Sequence, residues 1–383
     1  MSKPIVLIMG GPDVDLRLEL MGRLREEFEM VAAGTAPALA SRFAAAGFDY
    51  RYYPLHRTVH PLSDLVSITS ILRLCRALRP DVVHTFDAKP GVWGRLAARW
   101  AGVPAVVGTI PGLGSLYTNE RFSTRLTRTF YEPLQRWACR VSDLTIFQNR
   151  DDRRQFVAAK VVAESKTMII PGSGIPTDRY APEQVPGSAR AALRDELGIG
   201  SGETLVTMVS RVIRTKGVLE FMAAAEAVRR RHPNTRFLLV GPSDDESLER
   251  LTASEVDKLK AAVTWPGPRR DIPAVLAISD VFVLPSAYRE GIPRVLLEAA
   301  SMELPIVTTD SPGCNEVVED GLNGFLVRAR DAGALERAIL RLIEEPDLRR
   351  KFGRISRQRA VEFFDLSIIA EQTRSVYRSL LSR

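Results

Sequence analysis

Two consecutive doubly wound α/β domains facing a cleft are the fold this sequence predicts, and three observations carry the prediction. Short, fully apolar runs alternate with helical stretches along much of the 383 residues, the pattern of parallel sheets covered on both faces. The alternation breaks once, where Pro171, Gly172, Gly174, Pro176, Pro182, Pro186 and Gly187 crowd together, and then restarts. At roughly 150 residues per domain the chain has room for two such units, and 45% hydrophobic with 26% charged residues is an ordinary globular balance.

Taken in order, Ile5–Met9 reads as a buried strand ending in Gly10-Gly11-Pro12, followed by a helical stretch from Asp15 to Phe28. Asp81–Thr85, Val103–Thr109 and Leu144–Gln148 read as further strands, with a helical stretch at Gly91–Trp100. After the break come a strand at Leu205–Val209, a helix at Val218–His232, and strands at Phe237–Val240, Val263–Trp265, Val281–Leu284 and Ile306–Thr308. The last helix spans Leu366 to Leu381 and could pack on either domain. The expected division is 1–175, a linker at 176–190, and a second domain at 191–364.

Composition narrows the function. Cys75, Cys139 and Cys314 are far apart and lack metal spacing, so neither a disulfide framework nor a zinc site is expected. His56, His60 and His232 read as surface or packing residues. The opening run is too short for a secretory signal and no segment approaches ~18 apolar residues, so a cytoplasmic protein is expected. The net charge is +7, and residues 1–180 hold 24 Lys+Arg against 17 Asp+Glu, so the remainder is balanced, 29 against 29. An anionic ligand or surface should therefore meet the first half. No helix-turn-helix or aromatic-studded sheet is found, which argues against a nucleic-acid partner.

Chemistry concentrates at strand ends. After Val281–Leu284, the stretch Ser286–Ala299 places Glu290 at a turn with Gly291 and Ile292, Pro293 at a helix start, and Glu298 further in. Amides of Arg294 and Val295 at that helix start suit a phosphate, and Glu298 can accept from vicinal hydroxyls. After Leu205–Val209, Arg211 and Lys216 can place two cations on a diphosphate. Gly10 and Gly11 permit close backbone approach, although neither GxGxxG nor GxxxxGK[ST] is present. His84, Asp87 and Lys89 share one strand-end loop facing the expected cleft, where a lone His could equally be a satisfied structural residue.

The stretch Arg121–Val141 alternates Arg121, Arg125, Arg128, Arg136 and Arg140 with Phe122, Leu126, Phe130, Leu134 and Trp137. It suits either an anionic membrane interface or an aromatic stripe buried in the core. Pro133 is expected to kink or divide the helix.

Together these residues resemble a retaining glycosyltransferase of the GT4 family, whose fold is GT-B, with two Rossmann-like domains. Glu290 and Glu298 match its E-x7-E signature, beside Arg211, Lys216-Gly217, Pro266–Pro273 and Ile170–Ile175. The resemblance implies that Arg211 and Lys216 neutralise the donor diphosphate, with no metal or other cofactor needed. It implies that Glu290 contacts the donor sugar, Glu298 the ribose, and the stretch around Arg270 the base. Gly10 and Gly11 would border the donor phosphate and the acceptor, and residues 365–383 would return to the first domain. His84 to Gly91 and Thr109 to Gly114, which include Gly112, are similar to a branch acting on undecaprenyl-diphosphate-linked sugars in surface polysaccharide assembly, O-antigen included. That implies a UDP-sugar donor, a hexose or N-acetylhexosamine, a polyprenyl-diphosphate-linked saccharide acceptor, and a peripheral place on the inner face of the cell membrane. One departure stands out: Ile110-Pro111-Gly112 occupies the region where many members carry a catalytic-loop His. His84, Asp87 and Lys89 are the substitutes at the acceptor. The alternatives are a soluble acceptor, a GDP-sugar donor, or a nucleotide-sugar 2-epimerase on the same fold.

Overall fold

The computed structural model describes residues 2–56, 61–118 and 122–382. Two compact units emerge: unit 1 runs to Gly174 and resumes at Leu366, and unit 2 is Ile175–Asp365. Unit 1 carries β1 (Ile5–Met9), α1 (Leu18–Leu24), β2 (Glu29–Gly34), α2 (Leu39–Ala45), β3 (Asp49–Tyr52), α3 (Pro61–Leu78) and β4 (Val82–Thr85). It continues with α4 (Ala88–Trp100), β5 (Ala105–Ile110), α5 (Ser115–Thr118), α6 (Phe122–Val141), β6 (Leu144–Phe147), α7 (Arg150–Ala158) and β7 (Thr167–Ile169). Unit 2 carries α8 (Gly187–Glu196), β8 (Thr204–Val209), α9 (Val218–Arg231), β9 (Thr235–Val240), α10 (Ala253–Ala262), β10 (Thr264–Gly267), α11 (Ile272–Ala277) and β11 (Val281–Leu284). Then come α12 (Arg294–Ser301), β12 (Ile306–Thr309), α13 (Cys314–Val317), β13 (Gly324–Val327), α14 (Ala332–Glu344) and α15 (Pro346–Phe363). The final helix, α16 (Leu366–Leu381), belongs to unit 1.

The sheet of unit 1 is parallel, in the order β3-β2-β1-β4-β5-β6-β7. Successive residues of β1 point to opposite faces, and both faces are covered. Val6 and Ile8 join Leu20, Met21 and Leu24 of α1 with Ile369 and Tyr377 of α16. Leu7 and Met9 join Ile71 of α3 and Ala97 of α4. Because both sides of β1 are packed, the strand reads as one apolar run instead of alternating.

Unit 2 has a second parallel sheet, in the order β10-β9-β8-β11-β12-β13, around one core. Residues 176–190, expected as a linker, are part of this unit: Tyr180 and Val185 enter its core beside Ile175. Cys75, Cys139 and Cys314 are free and buried.

Helix α6 departs from expectation in one respect. Pro133 lies inside one helix and does not divide it. Leu126, Phe130 and Trp137 of the expected stripe are exposed, whereas Leu134 packs beside buried Ala138 against α4, so the stripe is core only in part. Arg121, the side chain of Phe122 and His60 lie outside the described residues.

Candidate active site

In unit 2 the strand order reverses between β8 and β11, so the loops leaving their carboxyl ends are neighbours at a switch point. The β8 loop finishes in a 3-10 turn, Arg214–Lys216, and Gly217 then opens α9 at φ 80°. A Cβ on Gly217 would stand 2.1 Å from the Pro285 carbonyl oxygen, so only glycine lets the loops approach this closely. The Ala287 N–H donates to the Thr215 carbonyl at 2.8 Å and ties them together.

This contact sets the ionic centre of the site. Lys216 Nζ lies 2.6 Å from Glu290 Oε1, and both side chains are largely buried. Ser286 Oγ donates to the same oxygen at 3.2 Å, and the Tyr288 ring centre is 5.6 Å from Lys216 Nζ. Gly313 presses in from the β12 loop at φ 86°, where a Cβ would meet the Gly291 carbonyl at 2.1 Å. The cation and carboxylate are thus held by three loops.

Other predicted residues line the neighbouring turns. Glu298 is buried one turn into α12, and its Oε1 accepts from Tyr180 OH and Arg294 Nε, each at 3.1 Å. Burial, reinforced by the Glu298 carboxylate, pushes the Tyr180 phenol up to about 12. Ile292 is buried and Val295 packs on the core of the unit. Arg211 is not drawn into the Lys216–Glu290 centre: its Nη1 pairs with Asp244 Oδ2 at 2.7 Å, at the surface. Arg270 is exposed beyond β10, while its neighbour Arg269 binds Asp271 and Glu196.

Sequence reasoning missed Tyr180, Ser286, Asp244 and Arg357. Arg357 Nη1 donates to the carbonyls of Thr177, Tyr180 and Ser301 at 2.7–2.8 Å, which fixes Tyr180 above Glu298. Nothing in spacing links residues 177 and 180 apart. Ser286, in contrast, stands four residues before Glu290 in the same loop after β11, and its donor role was readable.

Unit 1 has its own switch point, between β1 and β4. The Gly11 N–H donates to Asp87 Oδ2 at 2.9 Å, and Tyr53 OH donates to the Gly10 carbonyl at 2.7 Å. Asp87 adopts φ 70°, ψ 171°, a region that is essentially glycine's and costs ~1–3 kcal/mol for other residues. Burial pushes its carboxyl above the ordinary range, Asp13 adds to the shift, and the Gly11 N–H opposes it. Lys89 Nζ binds Asp64 Oδ1 at 2.6 Å and the His56 carbonyl at 2.8 Å, bracing α4 against α3. Gly112, at φ 127°, shapes the loop after β5.

His84 corrects the expectation of an acceptor-facing imidazole. It is fully buried, with Nδ1 2.7 Å from Tyr377 OH of α16 and Nε2 2.7 Å from Thr109 Oγ1 of β5. Burial lowers its pKa to about 3, and Arg17 assists, so the ring is neutral and serves as an internal strut. Arg17, also missed, lies buried over the Phe86 ring at 4.4 Å and donates to Ser173 Oγ. Among the described residues no three His, Cys, Asp or Glu side chains gather where they could hold a metal ion.

Comparison with known proteins decides the family. The model described as "Glycosyl transferase 4-like domain" matches residues 16–172, and "Glycosyl transferases group 1" matches residues 189–359. An Escherichia coli protein named UDP-Gal:alpha-D-GlcNAc-diphosphoundecaprenol alpha-1,3-galactosyltransferase is 32% identical over 295 residues, 76% of this chain and 73% of its own. The chain is a GT4-family glycosyltransferase. A Campylobacter jejuni N,N'-diacetylbacillosaminyl-diphospho-undecaprenol alpha-1,3-N-acetylgalactosaminyltransferase is 29% identical to this glycosyltransferase, over 84% of the chain and 82% of its own. Among solved structures, a Rickettsia africae glycosyltransferase superposes with TM-score 0.83 at 18% identity, covering 100% of this chain and 99% of its own. Anabaena Alr3699/HepE in complex with UDP gives TM-score 0.81 at 20% identity, covering 98% and 100%. The glycosyltransferase therefore has the GT-B fold, and each family match falls on one unit.

Proposed function

We propose that this GT4 glycosyltransferase moves a hexose or N-acetylhexosamine, with retention, from a UDP-sugar to a polyprenyl-diphosphate-linked saccharide in surface glycan assembly. The observation that carries the donor half is the Lys216–Glu290 pair at the switch point of unit 2, next to the opening of α12. Lys216, Arg211 and the amides of Arg294 and Val295 would meet the diphosphate, the usual electrostatic device for charge that develops as a leaving group departs. A metal ion is then not required for neutralisation. Gly291 and Ile292 would flank the sugar, Glu298 would hold the ribose and Arg270 would border the base. In the reaction the bond from the anomeric carbon to the β-phosphate oxygen breaks, and its electron pair leaves with UDP. The acceptor oxygen bonds to that carbon on the same face and its proton passes to the departing phosphate, with Glu290 acting electrostatically.

Support for the acceptor half comes from the names of the two relatives above, both acting on diphosphoundecaprenol-linked sugars, and from the cationic first half of the chain. Asp87, Lys89, Gly10, Gly11 and Gly112 would border the acceptor. Among the described residues no helix is long and apolar enough to cross a membrane, so the proposed place is peripheral, on an anionic membrane. The test is a panel of UDP-, GDP- and ADP-sugars offered with a polyprenyl-diphosphate-linked acetamido sugar or with soluble sugars. Transfer from one UDP-sugar to the lipid-linked acceptor alone is the expected result. Transfer only to soluble sugars, or interconversion of free UDP-sugar without acceptor, would overturn it.

A further inference from the structure

The helices α3, α4 and α6 pack side by side on one face of the unit 1 sheet. This single layer exposes Leu62, Leu65, Val66, Trp100, Leu126, Phe130 and Trp137, half of the large hydrophobic side chains that are exposed among the described residues. Leu62 is 74% and Phe130 68% accessible. On α6, Leu126, Phe130, Pro133 and Trp137 follow a spacing of four, three and four, which aligns them in one stripe along the helix. Trp137 meets Trp100 edge-on at 5.6 Å, so the stripe continues onto the end of α4. Patches of this kind on a monomer mark interaction sites.

The charge of the same layer identifies the partner. The three helices carry nine Lys and Arg against two carboxylates, Asp64 and Glu132. Arg95 is buried, and Lys89 and Arg99 pair with Asp64 and Asp143, which leaves Arg73, Arg76, Arg125, Arg128, Arg136 and Arg140 as the cations of the outer face. Asp64 is buried and bound to Lys89, and Glu132 accepts from Tyr117 OH. Arg125, Arg136 and Arg140 flank one edge of the stripe by helical geometry. Beyond them, Arg136, Arg140, Lys160 and Lys166 line a pocket of about 410 Å³ that also contains Glu164. A second copy of the chain would set this cationic layer against itself. An apolar stripe with a basic margin instead fits an anionic lipid bilayer, in which aromatic side chains lie at the headgroup boundary and guanidinium groups bind phosphates.

We propose that the α3–α4–α6 layer of unit 1 is the docking surface for an anionic membrane, with Leu126, Phe130 and Trp137 entering the headgroup–acyl boundary. The inference deepens the peripheral location proposed above and rests on it. Phe130 and Trp137 project into solvent, so their replacement leaves the core intact.

The experiment is co-sedimentation of the full chain with phosphatidylcholine vesicles, with and without one third phosphatidylglycerol, for wild type, Phe130→Ser/Trp137→Ser and Arg125→Gln/Arg140→Gln. The expected outcome is binding to the anionic vesicles that falls with salt and drops at least tenfold in each variant. Transfer to a short-chain, water-soluble polyprenyl-diphosphate acceptor should be unchanged in the variants. Wild type ignoring anionic vesicles, or variants binding as wild type does, overturns the docking surface. So does a wild-type dimer that the Phe130→Ser/Trp137→Ser variant abolishes, because a second copy then covers the stripe. Vesicle binding without transfer to the short-chain acceptor refutes the acceptor reading while leaving the surface in place.

Discussion

The two switch points are built from the same topology but are held by different means. In unit 2, three loops converge on a buried cation–carboxylate pair, and Gly217 and Gly313 let the backbones touch. In unit 1, among the described residues, no such pair joins the β1 and β4 loops, because Lys89 pairs with Asp64 of α3 instead. The carboxylate at this switch point, Asp87, sits in a strained backbone conformation and accepts from the Gly11 N–H, while the neighbouring imidazole turns away into the core. Under the function proposed above, this difference would divide the labour, with an ionic centre for a leaving diphosphate and a single carboxylate for a hydroxyl.

The sharpest way to break this comparison is Lys216→Ala. Glu290 keeps its bond from Ser286, so the fold should survive, while loss of the cation should lower kcat by about 10²–10³-fold. Steady-state rates with a UDP-sugar measure it, and an effect below tenfold would remove the ionic centre from the mechanism.

His84 gives the next effect, on stability. Its folded pKa, about 3, lies below the unfolded value near 6.5. The unfolded chain therefore binds the proton first, so the stabilisation is complete above pH 6.5 and lost as pH falls towards 3. His84→Gln should flatten the acid limb of the unit 1 melting profile, by a few kcal/mol at pH 4 at most. An unchanged limb would contradict a neutral buried strut.

Asp87 has the opposite sign and a smaller effect. Its carboxyl is raised, so the fold favours the protonated form, and stability declines as pH rises through and above the ordinary carboxylate range. Asp87→Asn should raise the Tm at pH 7 relative to wild type, with the gain shrinking towards pH 4, yet slow transfer. A Tm gain with full activity would leave Asp87 as strain without purpose. The smallest effect is none: EDTA should leave transfer unchanged if Lys216 and Arg211 neutralise the diphosphate.

Much of this was legible in the sequence where several constraints coincide. Ile5–Met9 and Val281–Leu284 are read to the residue because strands packed on both faces must be apolar throughout. Glu290 and Lys216 stand 74 residues apart, yet each followed a strand, and parallel topology brings such loops together. By contrast, β2 is Ala-rich and resembles helix, and the edge strand β3 (Asp49–Tyr52) is largely exposed and carries no apolar run. The 176–190 stretch has the composition of a linker, but Tyr180 and Val185 give it core contacts that composition does not reveal. His84 was left between a structural and an acceptor role, and topology decides for the first: β4 lies between β1 and β5, so a His inside it faces a covered side of the sheet. Arg17 and Arg357 depended on chain paths that no local pattern encodes.

The most direct test of the ionic centre is the thermal shift caused by UDP in wild type and Lys216→Ala, with GDP, ADP, dTDP and NADH as controls. At a hundred times its dissociation constant, UDP should stabilise wild type by ~2.7 kcal/mol, with smaller shifts from the controls and a much reduced shift in Lys216→Ala. An equal UDP shift in both proteins, or none from any nucleoside diphosphate, would contradict the assignment of the unit 2 switch point as the donor site.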